Sequence, residues 1–177
     1  MASPRQKNQQ QPGADDFSRL RRSIRAGQLA PVYLLHGEEG YYIDELVKDF
    51  ENVLPEEERD FNLYTLYGPE HSVDTVMDVC RRLPMMADRQ IVILKEAQAI
   101  RAEAFDRLHF YAEHPNPSTT LVIAVRGIKA KGKELIAAVK KNGELFESAA
   151  VKEYNLLPVI AGLVKEKGLN IDPKAMS

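Results

Sequence analysis

A single cysteine in 177 residues, Cys80, rules out an internal disulfide, and no metal-ligand spacing surrounds it. The plain reading is a buried core thiol in a reducing compartment. No run approaches the roughly 18 consecutive apolar residues that span a bilayer, and the first residues are Gln-rich and polar, unlike a signal peptide. A cytoplasmic protein with no membrane partner is expected. Charge of one sign is not in excess: 24 Lys and Arg against 26 Asp and Glu leave a formal net charge of -2. There is no global pull toward nucleic acid, so any such contact must be local or shared with partners. What is present is ordinary for a folded chain, with 44% hydrophobic and 28% charged residues. The length suits one sizeable core and the beginning of a second domain.

Residues 1–16 contain Gln-Gln-Gln, Pro-Gly and almost no apolar side chains, which predicts a disordered tail. Phe17, Leu20 and Ile24 then recur at helical spacing, with Arg19, Arg21, Arg22 and Arg25 elsewhere on the surface and Gly27 as the stop. Beyond this basic helix a pattern repeats, in which a short β-branched or aromatic run is followed by a break and a helical period. Strands are predicted at Val32–Leu35, Phe61–Leu66, Gln90–Leu94, Thr119–Val125 and Leu145–Glu147. Helices are predicted at Tyr41–Leu54, at Val73–Leu83 behind an N-cap at Ser72, at Ala102–Glu113 and at Glu134–Lys141. Strands alternating with helices, several apolar on both faces, predict an α/β fold with a mostly parallel sheet covered on both sides. After Ala149 the strand pattern ceases. Tyr154–Lys167 reads as a helix, and residues 150–177 are expected to begin a small helical domain cut off partway.

The crevice at the carboxyl ends of the strands is where such folds place chemistry. A phosphate-gripping loop needs glycines so that backbone amides can face the phosphates, a lysine for their charge and a hydroxyl for magnesium. The first strand-to-helix turn reads Gly37-Glu38-Glu39-Gly40-Tyr41-Tyr42-Ile43-Asp44. Its glycine spacing is wrong, the lysine and hydroxyl are missing, and two glutamates repel a triphosphate at the mouth of the helix. The metal position fails too, since Ile91-Val92-Ile93-Leu94 runs into Lys95-Glu96 where a hydrolase needs an acidic pair. His36, His71, His109 and His114 are scattered without ligand spacing, and no nucleophilic or paired-carboxylate constellation stands elsewhere. No catalytic residue, cofactor or metal is expected.

Leu83-Pro84-Met85-Met86-Ala87-Asp88-Arg89 places apolar residues where a loop is expected. Two adjacent methionines cannot both face a core from a regular helix or strand, so one projects outward unless it closes the end of the core. Methionine is flexible and polarizable and suits an adaptable apolar pocket on a partner.

Pro31-Val32-Tyr33-Leu34-Leu35-His36-Gly37-Glu38-Glu39 followed by Tyr42 and Asp44-Glu45, and then Leu83 through Gln90 running into Ile91-Val92-Ile93-Leu94, resembles the delta subunit family of the bacterial DNA polymerase III clamp loader. The resemblance runs from about Phe17 to the end. It implies an AAA+-like domain that has lost ATPase chemistry, over residues 17–149, followed by a helical lid domain and a collar absent from this chain. In that family an apolar pair inserts into the pocket of the sliding clamp, the beta subunit, and helps spring one interface of the ring. The matching positions are Met85 and Met86, with Leu83 just before them, and methionines stand where leucine and phenylalanine are usual. ATP bound by other clamp-loader subunits would supply the energy within a DNA-directed DNA polymerase holoenzyme. The basic stretch from Arg126 to Lys141, chiefly Lys129, Lys131 and Lys133, would approach DNA only in the assembled loader. Two readings stay open beside this one, a divergent nucleotide-binding α/β enzyme and a regulatory protein-interaction domain.

Overall fold

The computed structural model describes residues 14–149 and 165–166. The chain opens with α1 (Ala14–Arg25), whose Asp15 and Asp16 lie in the first turn and Arg22 and Arg25 in the last, each sign opposing the helix dipole. Its first turn takes in residues 14–16, which the sequence had assigned to the tail. Gly27, at φ 73, closes it, as a left-handed residue after a helix should. Four arginines were expected on its surface, but Arg21 is buried and its Nε donates to Asp49 Oδ2 at 2.7 Å. The α2 helix carries Asp49 and so supplies the charge that lets the guanidinium leave water.

The remaining elements are β1 (Val32–Gly37), α2 (Gly40–Glu51), α3 (Glu56–Asn62), β2 (Leu63–Tyr67), α4 (Val73–Cys80), β3 (Gln90–Lys95), a single 3-10 turn (Ala97–Ala99), α5 (Ala102–Asp106), α6 (His109–Ala112), β4 (Thr119–Arg126), α7 (Lys133–Asn142) and β5 (Glu144–Ser148). All strand pairs are parallel, in the order β2-β3-β4-β1-β5. The register sets Leu34 beside Ile123 and Leu145, and Val92 beside Leu121. Successive residues point to opposite faces. Val32, Leu34, Val92, Leu94, Leu121 and Ile123 therefore face a core closed by α4 through α7, whereas Tyr33, Leu35, Ile91, Ile93, Val122 and Ala124 face one closed by α1 and α2. This is the expected α/β class, and the burial of both faces explains why the strands read as continuous apolar runs.

Three local expectations fail for identifiable reasons. Phe61 and Asn62 belong to α3, not to a strand, because Pro55 precedes Glu56, Glu57 and Glu58, a run of acids that favours a helix start. The helix capped by Ser72, whose Oγ accepts from Thr75 N at 3.1 Å, ends at Cys80, so Leu83 lies outside it. The helix expected over 102–113 is two short ones. Asp106 Oδ1 accepts from Leu135 N at 2.9 Å and so serves the start of α7, while Leu108 and Tyr111 turn into the core through tight i to i+3 bonds. The helical domain expected over 150–177 lies outside the described residues, apart from Lys165 and Glu166, which are helical. No helix among the described residues is long and apolar enough to cross a membrane.

Candidate functional site

The strand order reverses around β1, which places the crevice of the fold at the carboxyl ends of β1 and β4. The turn there is sealed by the chain itself. Gly37 has φ 131, and a Cβ on it would stand 2.1 Å from the carbonyl oxygen of Ser148, so β5 backs directly onto the turn. Its amide donates to Ile128 O at 2.9 Å and its carbonyl accepts from Gly127 N at 3.0 Å, leaving neither for a ligand. At the start of α2 the Glu39 carboxylate accepts from Tyr41 N at 3.1 Å, in the place an anion would take. The Arg126 side chain covers Gly40 and pairs with Asp44 at 3.1 Å.

At the ends of β3 and β4 an open pocket of ≈ 400 Å³ remains, but Lys95 with Glu51 and Arg126 with Asp44, which line it, pair with one another. Lys95 Nζ lies 2.7 Å from Glu51 Oε1 of α2, so the position where a hydrolase holds magnesium carries a cation satisfied by an internal carboxylate. Glu96 follows in the left-handed region at φ 54. Gly37, Glu38, Glu39 and Gly40 thus form a turn with no fit for a nucleoside triphosphate: an acid caps the helix, and no lysine or hydroxyl points out. Among the described residues no group of three or more His, Cys, Asp or Glu side chains is placed to hold a metal ion.

A different surface lies at the other edge of the sheet. Residues 81–89 join α4 to the amino end of β3, whereas the emptied crevice lies at the strands' carboxyl ends. Six-residue β3 separates the two edges by roughly 17 Å at about 3.3 Å per residue. The loop exposes Leu83 at 78%, Met85 at 56% and Met86 at 101% of their full area, and Phe61 of neighbouring α3 at 59%. All three predicted docking residues are therefore exposed on one loop and not on a helix end.

Buried polar side chains hold this loop. The Asn62 amide, almost wholly buried, donates to Met85 O at 2.9 Å and accepts from Met85 N at 2.7 Å, a two-bond clasp like that of a neighbouring strand. It also donates to Glu58 O at 3.1 Å. Gln90 Nε2 reaches Val79 O at 3.1 Å, Arg82 O at 2.9 Å and Thr119 Oγ1 at 2.8 Å, tying up carbonyls left over at the end of α4. Arg89 Nη1 donates to Gly27 O at 2.9 Å and anchors the loop's far end to α1. Held this way, Met86 adopts φ 53, a conformation that costs a non-glycine residue about 1–2 kcal/mol. Asn62, Phe61 and Gln90 were not picked out by sequence reasoning. Asn62 lay in a predicted strand, and no spacing signals a contact with a residue 23 positions on.

The basic stretch stands apart from the tip, beyond the carboxyl end of β4. Lys129 Nζ is 2.9 Å from Glu147 Oε1, and that carboxylate holds the ammonium above its ordinary pKa. Lys131 and Lys133 are exposed and form no ion pair among the described residues. His36, buried in β1, accepts from Ala130 N through Nδ1 at 2.9 Å, which makes it a structural acceptor for the start of this stretch. Burial lowers its pKa.

Comparisons with known proteins bear on the family and the fold. The sequence profile of the family described as "DNA polymerase III, delta subunit" matches residues 33–149. A curated relative, DNA polymerase III subunit delta of Bacillus subtilis, is 26% identical over 164 residues, covering 87% of this chain and 47% of the relative. The solved structure of the Bacillus subtilis DNA clamp loader delta protein superposes with a TM-score of 0.72 at 24% identity, covering 90% of this chain and 50% of that one. The Thermotoga maritima RuvB Holliday junction branch migration motor superposes with a TM-score of 0.52 at 16% identity, covering 90% and 53%, a likeness of fold alone. The fold is AAA+-like, and the chain spans about half the length of these relatives.

Proposed function

The chain belongs to the DNA polymerase III delta subunit family, and from that premise we propose that it binds a sliding clamp through Leu83, Met85 and Met86 without hydrolysing ATP itself. The observation that carries this reading is the exposed apolar tip clasped by a buried amide, on the sheet edge away from a crevice whose Lys95 and Arg126 are paired with carboxylates of α2. Leaving three large apolar side chains in water is unfavourable unless a partner covers them. Clasping their backbone lowers the entropy lost when a partner does so. The tip fills a pocket on the clamp's beta subunit, and Asp88 and Arg89 stand at its rim.

In this reading the chain works in the cytoplasm as a rigid wedge among other clamp-loader subunits, which bind the ATP. The test is a calorimetric titration of the clamp with the chain and its Met85→Ala/Met86→Ala variant. Affinity is expected to fall at least about tenfold, as for hot-spot anchors, with the unfolding midpoint unchanged because both side chains are exposed. Equal affinity of the two proteins removes the proposal.

A secondary contact with primed DNA in the assembled loader is favoured by Lys131 and Lys133, which have no acidic partner among the described residues. Lys129, already paired with Glu147, contributes less. Neutralising Lys131 and Lys133 should reduce the salt dependence of loader binding to primed DNA by about two counterions. An unchanged slope refutes the contact.

A further inference from the structure

The last turn of α3 stands beside the tip, and its side chains divide in a way the core does not require. Asn62 faces inward and clasps Met85. Phe61, its neighbour, faces outward with more than half its area in water, whereas the next position on the helix, Asn62, is buried. Tyr64 Oη donates to Phe61 O at 3.1 Å and steadies this turn. Between the Phe61 ring and the two methionines lies an open groove of ≈ 320 Å³, floored by Asn62 and lipped by Glu57 and Glu58. Among the described residues neither glutamate has an ion pair, and the one cation of the helix, Arg59, is turned back to donate to Leu54 O at 2.9 Å. The surface is thus an apolar slot with an acidic edge, continuous with the tip because Met85 and Met86 belong to both.

We propose that this groove is the receiving half of the same docking surface: while Met85 and Met86 enter the partner's pocket, the partner returns an apolar side chain flanked by cationic groups between Phe61 and the methionines. The inference rests on the reading of the tip as a clamp-binding element and names a second anchor and the charge of the surface it meets. Phe61 is that anchor, a ring with few rotatable bonds to be ordered on binding. Asn62 is a positioning residue, since it sets the width of the groove by fixing the Met85 backbone. Glu57 and Glu58 select against a partner with an acidic rim, through like-charge repulsion as much as attraction.

The experiment measures clamp binding by the full chain and by Phe61→Ala, Glu57→Lys/Glu58→Lys and Met85→Ala/Met86→Ala, each at low and moderate salt. Phe61→Ala should weaken binding about tenfold, as loss of an aromatic anchor does, with no change in unfolding midpoint. Charge reversal should weaken binding most at low salt, and added salt should shrink the difference, because the effect is between exposed charges. If the methionine variant loses binding while Phe61→Ala and the charge reversal retain wild-type affinity, the groove is refuted and the tip stands. If the unaltered chain does not bind the clamp, the reading of the tip fails and the groove falls with it. Self-association of the chain, seen by sedimentation and abolished by Phe61→Ala, would identify a second copy as the occupant and overturn the proposal.

Discussion

Lys95 Nζ lies 2.7 Å from Glu51 Oε1, and this one pair joins the carboxyl end of β3 to α2 across the crevice where a related hydrolase would hold magnesium. Both side chains are half-buried, so the bond is partly screened and worth at most about 1 kcal/mol. Glu51→Gln should lower stability to urea by no more than that. Lys95→Asp should not create ATP binding, because Glu39 still caps α2 and no lysine stands in the turn. Calorimetry with magnesium and ATP checks both proteins, and tight binding by the unaltered chain would revive the enzyme reading.

Gly37 is confined by Ser148. With φ at 131 and a methyl group that would stand 2.1 Å from a carbonyl oxygen, Gly37→Ala must move β5 or strain the backbone. The expected cost is more than about 2 kcal/mol, combining a disallowed backbone conformation with a steric clash. A urea midpoint equal to that of the unaltered chain would show that the turn is not pinned by β5.

His36 makes stability depend on pH. Burial lowers its pKa in the fold; Glu147 opposes this and Lys129 reinforces it. Its Nδ1 must stay unprotonated to accept from Ala130 N. The unfolded chain then binds a proton more readily than the folded one below an ordinary histidine pKa of about 6.5. Stability is therefore full above about pH 6.5 and falls as the pH drops toward the lowered folded value. His36→Gln keeps an acceptor but does not titrate, so the difference between the two proteins' urea midpoints should change between pH 7.5 and 5.5. A constant difference would contradict this account.

Asn62 can be tested by a change of one heavy atom. Asn62→Asp places a carboxylate against the carbonyls of Met85 and Glu58, to which the amide now donates. Near neutral pH the variant should lose about 1–3 kcal/mol, the usual cost of an unmet buried polar group. It should recover part of that loss as the pH is lowered, because a protonated carboxyl can again donate to Met85 O. A variant equally stable at both pH values would mean that the clasp does not hold the loop.

Much of this architecture is legible locally. The core strands lie within a few residues of their predicted limits because both faces of a central parallel strand are buried, and burial on both faces writes an unbroken apolar run such as Ile91-Val92-Ile93-Leu94. The Ser72 cap is equally local, a hydroxyl three residues from the amide it satisfies. The α3 helix was missed because Phe61 suits a strand as well as Leu63 to Tyr67 do, and only the acids behind Pro55 tip the balance.

By itself, then, the sequence determined the α/β class, a first strand-to-helix turn without lysine or hydroxyl and the apolar character of residues 83–86, since each follows from residue type and short-range spacing. Tertiary structure alone decided that Glu51 meets Lys95, that Ser148 closes Gly37, and that Asn62 clasps Met85 so that Phe61 stands beside the methionines. These contacts depend on strand order and register. Crossovers that carry the chain over whole strands bring distant residues together, and local periodicity carries no record of which ones meet.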